Sequence, residues 1–471
     1  MISKNLILIS IGLILFFVIN KFHPNNDLSS DGWLVLSLLI LMALWWLTNA
    51  IPMSVTALLP LIIIPIFSEI NISDVAKPYS NPIIFLLLGG FIIGLGLKKS
   101  NLHKRIAMKI LINIGSAKKN ILAGFMISTA FISMWLSNTA TCLLMLPIAI
   151  SVISKLNNKN NDSFNKLLLL SIAYSSSIGG MTTLIGTAPN AIFAGYMAEN
   201  FNLQIGFINW MLFSFPLVLI LMLILWVFIS LIIKDTKNEF EEVSRNSIFH
   251  KELQKLGKIT NTEKNTFLII LTTIILWTIR PIINSTFGIS LTDASVSIFG
   301  ASLFFLIPKS RSNFLLDKSW FKEIPWDILI LFGGGLSLAS LVTSSGLAVW
   351  ISTFLYFFND FTVLTLIIVL AFLISFLTEV TSNTATTLLF LPIIAAFATN
   401  NNYDIVLISL PIILASSCAF MMPVATPPNA IVFSTNQFKI SYMAKVGFLM
   451  NVLAVILSGF WIYNFSYLVY G

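Results

Sequence analysis

Apolar runs of membrane-spanning length fill this chain and confine it to one class of fold. A helix needs about 20 apolar residues to cross a bilayer. Runs of that order occupy 5–20, 33–49, 54–69, 82–98, 166–198, 208–234, 264–284, 290–308, 326–345, 403–435 and 443–469. Hydrophobic residues are 57% of the 471 and charged residues 10%, whereas a soluble domain carries about 25% charged residues. The expectation is an all-α polytopic membrane protein with about eleven transmembrane helices and the lipid bilayer as its solvent. The first run follows Lys4 and has no small-residue cleavage site after it, so it reads as a retained span.

Two more apolar regions, 121–154 and 363–397, are interrupted in their middles. The first reads "ISMWLSNTATCLLMLPIAI" and the second "LTEVTSNTATTLLFLPIIA". Each is long enough to enter the bilayer and return, which suggests two re-entrant helical hairpins with Ser-Asn-Thr at their tips. The basic residues support this. With the N-terminus inside and both hairpins returning to their own side, Lys4 and the loops 97–120, 155–166, 234–264, 309–325 and 436–445 hold 24 of the 27 Lys and Arg. Positive residues gather on the cytoplasmic side, so the net charge of +8 reflects loop bias and no nucleic-acid partner is expected. This topology brings the first hairpin in from the cytoplasm and the second from outside.

The halves also repeat. Ser137 matches Ser382 and Pro147 matches Pro392 at an offset of 245, which also relates Gly89-Gly90 to Gly334-Gly335. Further on, "LIGTAPNAIF" at 184–193 resembles "PVATPPNAIV" at 423–432. The common order is a Gly-rich span, a hairpin with an SNT tip, and a span broken at a T-x-P-N motif. Opposite entry sides make this an inverted-topology repeat. Such repeats are a signature of secondary transporters, whose sites lie near the midplane between discontinuous helices of both halves.

Proline lacks a backbone donor and clashes with the preceding turn. Gly186-Thr187-Ala188-Pro189-Asn190 and Ala425-Thr426-Pro427-Pro428-Asn429 should therefore unwind their spans. Unwound backbone at membrane depth is tolerated only where it is buried in protein or lines a cavity. Its carbonyls suit a small hard cation, and the helix N-termini that follow suit an anion. Two tips and two breaks would make a polar site without formal charge. Glu379 is the acidic residue within a tip region, where it is hydrogen-bonded locally, faces a vestibule or takes part in coupling. No Lys or Arg lies near either motif, so a bound dianion would need co-bound cations. Proton relays usually use buried Asp, Glu or His. Here His23, His103 and His250 read as solvated loop residues, and sodium is the better coupling ion. Cys142 and Cys418 form no disulfide framework or metal cluster.

At these residues the sequence resembles the divalent anion/sodium symporter family, which carries dicarboxylates, citrate or sulfate. The likeness runs through "WWLTNAIPMSVTALLP", both SNT motifs, "IGTAPN" and "ATPPNAIVF". It implies a homodimer with an elevator-type mechanism in a bacterial inner membrane. It also implies a division into scaffold parts (1–120 and 236–345) and transport parts (121–235 and 346–471). Sodium ions would be co-transported at two sites. The first would use Ser133, Ser137, Asn138 and the Gly186 carbonyl, and the second Thr378, Thr381, Asn383 and the Ala425 carbonyl. The substrate, a C4-dicarboxylate such as succinate, would meet Asn138, Thr139, Thr187, Ser382, Asn383, Thr384, Thr426 and Pro427. The chain departs from the family at Asn49, where T-E-A-I-P usually places Glu, at Ala188, where Pro or Gly is common, and at Thr381, where Ala is common. Competing readings are a sodium-independent dicarboxylate exchanger, a sodium/sulfate or citrate symporter, an ion channel and an intramembrane enzyme. The last would want a buried Asp pair, a Ser/His pair or metal ligands, none of which appears near the tips, so no enzymatic activity is expected.

Overall fold

The computed structural model describes residues 2–22, 27–114, 117–155, 162–233, 249–310 and 313–470. His23 and parts of the basic loops lie outside them. The first half runs through helices Ile2–Lys21 (α1), Ser30–Thr48 (α2), Met53–Thr56 (α3), Leu59–Phe67 (α4), Ile72–Ala76 (α5), Pro82–Lys99 (α6), Leu102–Ile114 (α7), Lys118–Ser133 (α8), Asn138–Lys155 (α9), Asp162–Gly180 (α10), Ala188–Phe201 (α11) and Phe207–Ile232 (α12). The second continues with Phe249–Lys255 (α13), Asn261–Phe287 (α14), Asp293–Leu306 (α15), Trp320–Glu323 (α16), Trp326–Ser344 (α17), Leu347–Thr353 (α18), Val363–Thr378 (α19), Asn383–Asn400 (α20), Ile405–Ser416 (α21), Pro427–Phe433 (α22) and Ile440–Phe465 (α23).

Among the described residues, eight helical segments are long and apolar enough to cross a membrane. Seven fall on the expected spans, and the eighth is Asn383–Asn400, the second arm of the second hairpin. The other expected spans are shorter or divided. The 54–69 run turns between α3 and α4, 290–308 holds the 14-residue α15, and 166–198 and 403–435 are broken where the T-x-P-N motifs predict. Both SNT regions are helix–tip–helix hairpins: α8 and α9 about residues 134–137, α19 and α20 about 379–382.

The repeat is visible in the packing. In the first half α8 and α9 pack on each other and on α10; in the second, α19 and α20 do the same with α21. The halves then interlock. Helix α11, after the first break, packs on α20 and α21, and α22, after the second break, packs on α9 and α10. Each half therefore closes its broken span over the other half's hairpin, which brings all four polar motifs together. The Gly-rich spans pack elsewhere. Helix α6 lies along α15, and α17 lies against α3 and α4. A Cβ at Gly89 would strike the backbone of Ser297, and one at Gly334 the carbonyl of Ala57, so these glycines set helix–helix approach.

The N-terminal helix α1 packs on α2 and presents Leu6, Ile7, Ile14 and Phe17 outward, as a lipid-facing helix would. On the loop side, Arg105 of α7 is buried with Glu263 at an Nε–Oε1 separation of 2.5 Å. Its guanidinium also donates to the carbonyls of Gly257 and Leu256. Glu263 completes a capping box with Thr260 at the start of α14. One reading fails here: His103 is not a solvated loop residue. It is buried on α7, its Nδ1 2.8 Å from the Leu97 carbonyl. The reason is periodicity, because Leu102, His103, Ala107, Met108 and Leu111 share the face of an amphipathic helix that packs on α8. Cys142 and Cys418 are both buried and free.

Candidate functional site

The two tips and two breaks line one cavity of about 780 Å³. From the tips come Ser137, Asn138, Thr139, Thr381, Ser382, Asn383 and Thr384; from the breaks come Gly186, Thr187, Ala188, Pro189, Ala425, Thr426, Pro427 and Pro428. All eight residues expected to meet a substrate line it. Of those expected at the cation positions, Ser137, Asn138, Gly186, Thr381, Asn383 and Ala425 line it, while Ser133 and Thr378 lie buried just behind the tips.

Local chemistry explains why the chain opens here. Thr187 and Thr426 are extended N-caps, with φ of −143° and −140°. The prolines that follow sit in the first helical turn, where a missing N–H costs nothing. The Thr426 hydroxyl accepts from the Asn429 amide at 3.3 Å. The motif asparagines turn back on the breaks they follow. Asn190 Nδ2 donates to the carbonyls of Met181 (3.0 Å) and Thr183 (2.8 Å), and Asn429 Nδ2 donates to those of Ala419 and Met422, both at 3.0 Å. Both asparagines are fully buried. They hold two unwound segments in similar shapes, and sequence reasoning had given them no separate role.

Behind each tip lies an oxygen cluster of the same design. Ser133 Oγ is 2.8 Å from Asn138 Oδ1 and 2.6 Å from the Ser176 carbonyl. Thr378 Oγ1 is 2.6 Å from Asn383 Oδ1 and 3.3 Å from the Ser416 carbonyl. A hydroxyl has one proton to give, so each cluster gathers three oxygens around a single hydrogen. Such a set is electron-rich and hard, and suits a small hard cation. In the first half, Gly180 and Gly186 make the approach possible. A Cβ at Gly180 would meet Asn138 Oδ1 and the Gly186 carbonyl, and one at Gly186 would meet the Gly180 carbonyl. Thr381 instead bonds within its hairpin, to the Leu377 carbonyl at 2.9 Å and the Thr386 hydroxyl at 2.6 Å.

Among the described residues, no charged side chain lines the cavity. The helices α9, α11 and α20 begin at its wall with Asn138, Ala188 and Asn383, and their N-terminal partial charges favour an anion there. Trp46, Leu47, Asn49 and Met53, from the corner between α2 and α3, also line the cavity. Asn49 caps α2 in the left-handed region, φ 49°, a conformation asparagine tolerates better than most residues. Trp46 Nε1 donates to the Met53 carbonyl at 3.1 Å and fixes that corner. Glu379 is not among the residues that line the cavity. Its carboxylate accepts from the amides of Phe420 (2.7 Å), Met421 (2.9 Å) and Met422 (2.9 Å), and from Asn451 Nδ2 (2.7 Å).

Known proteins resemble this chain over most of its length. The chain is 39% identical over 465 residues to the sodium-dependent dicarboxylate transporter SdcS of Staphylococcus saprophyticus, covering 95% of this chain and 89% of that protein. It is 36% identical over 469 residues to SdcS of Staphylococcus aureus strain USA300, covering 97% and 90%. In fold it matches the crystal structure of the YdaH transporter of Alcanivorax borkumensis, described as having an unusual topology, with a TM-score of 0.58 at 10% identity over 100% of this chain and 99% of that one. The family model for the sodium:sulfate symporter transmembrane region matches residues 3–469, and the chain belongs to that family.

Proposed function

We propose that this protein imports a divalent anion together with sodium, and that the anion is a C4-dicarboxylate such as succinate. The observation that carries the reading is the pair of oxygen clusters behind the two tips, flanking a cavity without formal charge. A dianion entering such a cavity leaves its charge unbalanced, because the described residues of the wall hold no fixed countercharge. Cations at the two clusters supply the balance and are released with the substrate, which couples the two fluxes. The first site consists of Ser133, Ser137, Asn138 and the Gly186 carbonyl, and the second of Thr378, Thr381, Asn383 and the Ala425 carbonyl. Hydroxyls and amides of Asn138, Thr139, Thr187, Ser382, Asn383, Thr384 and Thr426 hold the carboxylates, with Pro427 in contact. The names of the SdcS relatives support both the ion and the substrate class.

In this reading the protein is a homodimer in a bacterial inner membrane with its N-terminus in the cytoplasm. The hairpins and broken helices move as one body past the remaining helices, in an elevator. Residues 1–120 and 236–345 form the scaffold parts, and 121–235 and 346–471 the transport parts. The test is uptake of labelled succinate by purified protein in liposomes. It is run with an inward sodium gradient, with potassium replacing sodium, and with unlabelled succinate preloaded inside. Uptake that requires sodium supports symport. Uptake that ignores sodium but requires internal dicarboxylate means exchange and removes the cation assignments. A crosslink between transport part and scaffold should stop uptake while leaving binding intact; full uptake by verified crosslinked protein sinks the elevator.

A further inference from the structure

We infer that Glu379 is a positioning residue for the second cation site: it holds the second break against its hairpin tip and supplies negative charge that the site's neutral ligands lack. This rests on the reading of Thr378, Asn383 and the Ala425 carbonyl as a sodium site.

Glu379 is 3% exposed, and the hydrogen-bond partners of its carboxylate among the described residues are neutral. Three consecutive backbone amides, Phe420 to Met422, point at its two oxygens, and Asn451 of α23 donates a fourth bond. Three successive amides converging on one carboxylate fix the direction of the backbone that leads to Ala425. Tyr174 Oη donates to the Phe420 carbonyl at 2.8 Å, and Ser375 Oγ to that of Cys418 at 2.9 Å, so the segment is gripped from several helices. Glu379 also follows Thr378 directly in the chain. One residue thus joins the tip that carries Thr378 and Asn383 to the break that carries Ala425.

Among the described residues the first half has no equivalent. The repeat places Met134 at the position of Glu379, and there the contact between tip and break is a neutral bond from the Thr183 hydroxyl to the Met134 carbonyl, 2.7 Å. Trp210 and Ser214 hold the rest of that break through the carbonyls of Met181 and Thr182. The two oxygen clusters are alike, yet among the described residues the second alone is attached to a buried carboxylate. A buried charge satisfied by neutral donors alone remains costly, and a cation in the adjoining cluster offsets that cost. The two sites are therefore inequivalent: the second is the more strongly cation-attracting, and its break is fixed before sodium arrives.

The experiment compares full-length wild type with Glu379→Gln in two measurements: sodium-dependent thermal stabilisation without substrate, and sodium titration of labelled-succinate uptake in liposomes. E379Q is expected to raise the sodium half-saturation tenfold or more, with succinate KM at saturating sodium changed less than threefold. A merely structural role lowers the melting temperature and leaves the sodium half-saturation unmoved, and that result overturns the inference. If E379Q does not fold, the swap Glu379→Gln with Asn451→Asp carries the test. It returns a carboxylate to the Phe420 amide, which Asn451 Oδ1 already faces at 3.1 Å. A swap within threefold of wild-type sodium affinity supports the inference, and a folded swap weakened tenfold overturns it. A wild type that ignores sodium in both measurements removes the sodium reading itself, whereas a sodium-responsive wild type matched by E379Q removes only the role of Glu379.

Discussion

Replacing Gly180 by alanine would put one methyl group into the first oxygen cluster. Its Cβ would lie 3.0 Å from the Gly186 carbonyl oxygen and closer still to Asn138 Oδ1. Ordinary contact begins at 3.4 Å, so the carbonyl must retreat by at least about 0.4 Å and the amide by more. Both atoms are proposed ligands of one ion, and over-packing of this kind costs about 1–3 kcal/mol. At about 1.4 kcal/mol per tenfold, strain that falls on the cation-bound geometry weakens sodium half-saturation by about 5- to 150-fold. The assay is sodium titration of succinate uptake in liposomes, with sodium-dependent thermal stabilisation alongside it. Gly459→Ala serves as the control: its methyl would meet Ile368 at 2.7 Å, between α23 and α19 and outside the cavity wall. It should lower stability without moving the sodium curve. A folded Gly180→Ala protein with wild-type sodium half-saturation would refute the reasoning, because the first cluster would then not be a cation site.

Other outcomes follow from the same geometry. Asn138→Ala and Asn383→Ala each remove an amide oxygen shared by cluster and cavity wall; both should abolish sodium-driven uptake in liposomes while leaving the protein folded by size-exclusion chromatography. Asn49→Glu places a carboxylate in a wall without charge and in a left-handed position, so repulsion of about 1–3 kcal/mol should raise succinate KM by about 5- to 150-fold, read from uptake kinetics. Burial, with smaller help from Lys104 and Lys98, pushes His103 down to about 4 although its bond to Leu97 opposes this. Its unfolded pKa is near 6.5, so its neutral form imposes no penalty above that pH. Stability should then fall by about 1.4 kcal/mol per pH unit between roughly 6.5 and 4, a slope that His103→Gln should reduce in thermal unfolding. Arg105→Met strands Glu263 without its buried partner and should cost about 3–5 kcal/mol, seen as a lower melting temperature.

Much of this architecture was written in the pattern of the chain. The apolar runs give the helices, and the two SNT motifs give the hairpins, because a polar tip in the middle of an apolar stretch has few other uses. Proline and glycine in the T-x-P-N segments mark the breaks. The common offset of 245 says that the halves match, but not that they interlock: α11 lying on α20, and α22 on α9, is a tertiary fact without a local signal. Ser133 and Thr378 were reached through the family likeness, and their position behind the tips shows why a serine and a threonine stand four residues before each SNT serine. Gly180 was missed because a glycine at the end of an apolar helix looks like any other; only the distance to Asn138 gives it meaning. Asn190 and Asn429 were seen as part of a motif, but their amides turn back on the breaks, which spacing does not reveal. His103 was misread because a short amphipathic helix between two spans looks, by charge alone, like an exposed basic loop. Glu379 stands out in the sequence as an acidic residue at a tip, but its bonding is not local to the hairpin: its partners are backbone amides some 40 residues away in the chain and Asn451 beyond them, out of reach of any local pattern.

The most direct test of the central claim is concentrative uptake. Purified protein in sodium-free liposomes is given external sodium and labelled succinate at low concentration, and internal succinate is followed until it exceeds the external level. The sodium gradient is then dissipated with a sodium ionophore. Coupled import predicts that accumulated succinate runs back out until the two concentrations are equal, and that Asn138→Ala and Asn383→Ala never accumulate it. Accumulation that survives the collapse of the sodium gradient, or that proceeds equally with potassium, would contradict the account.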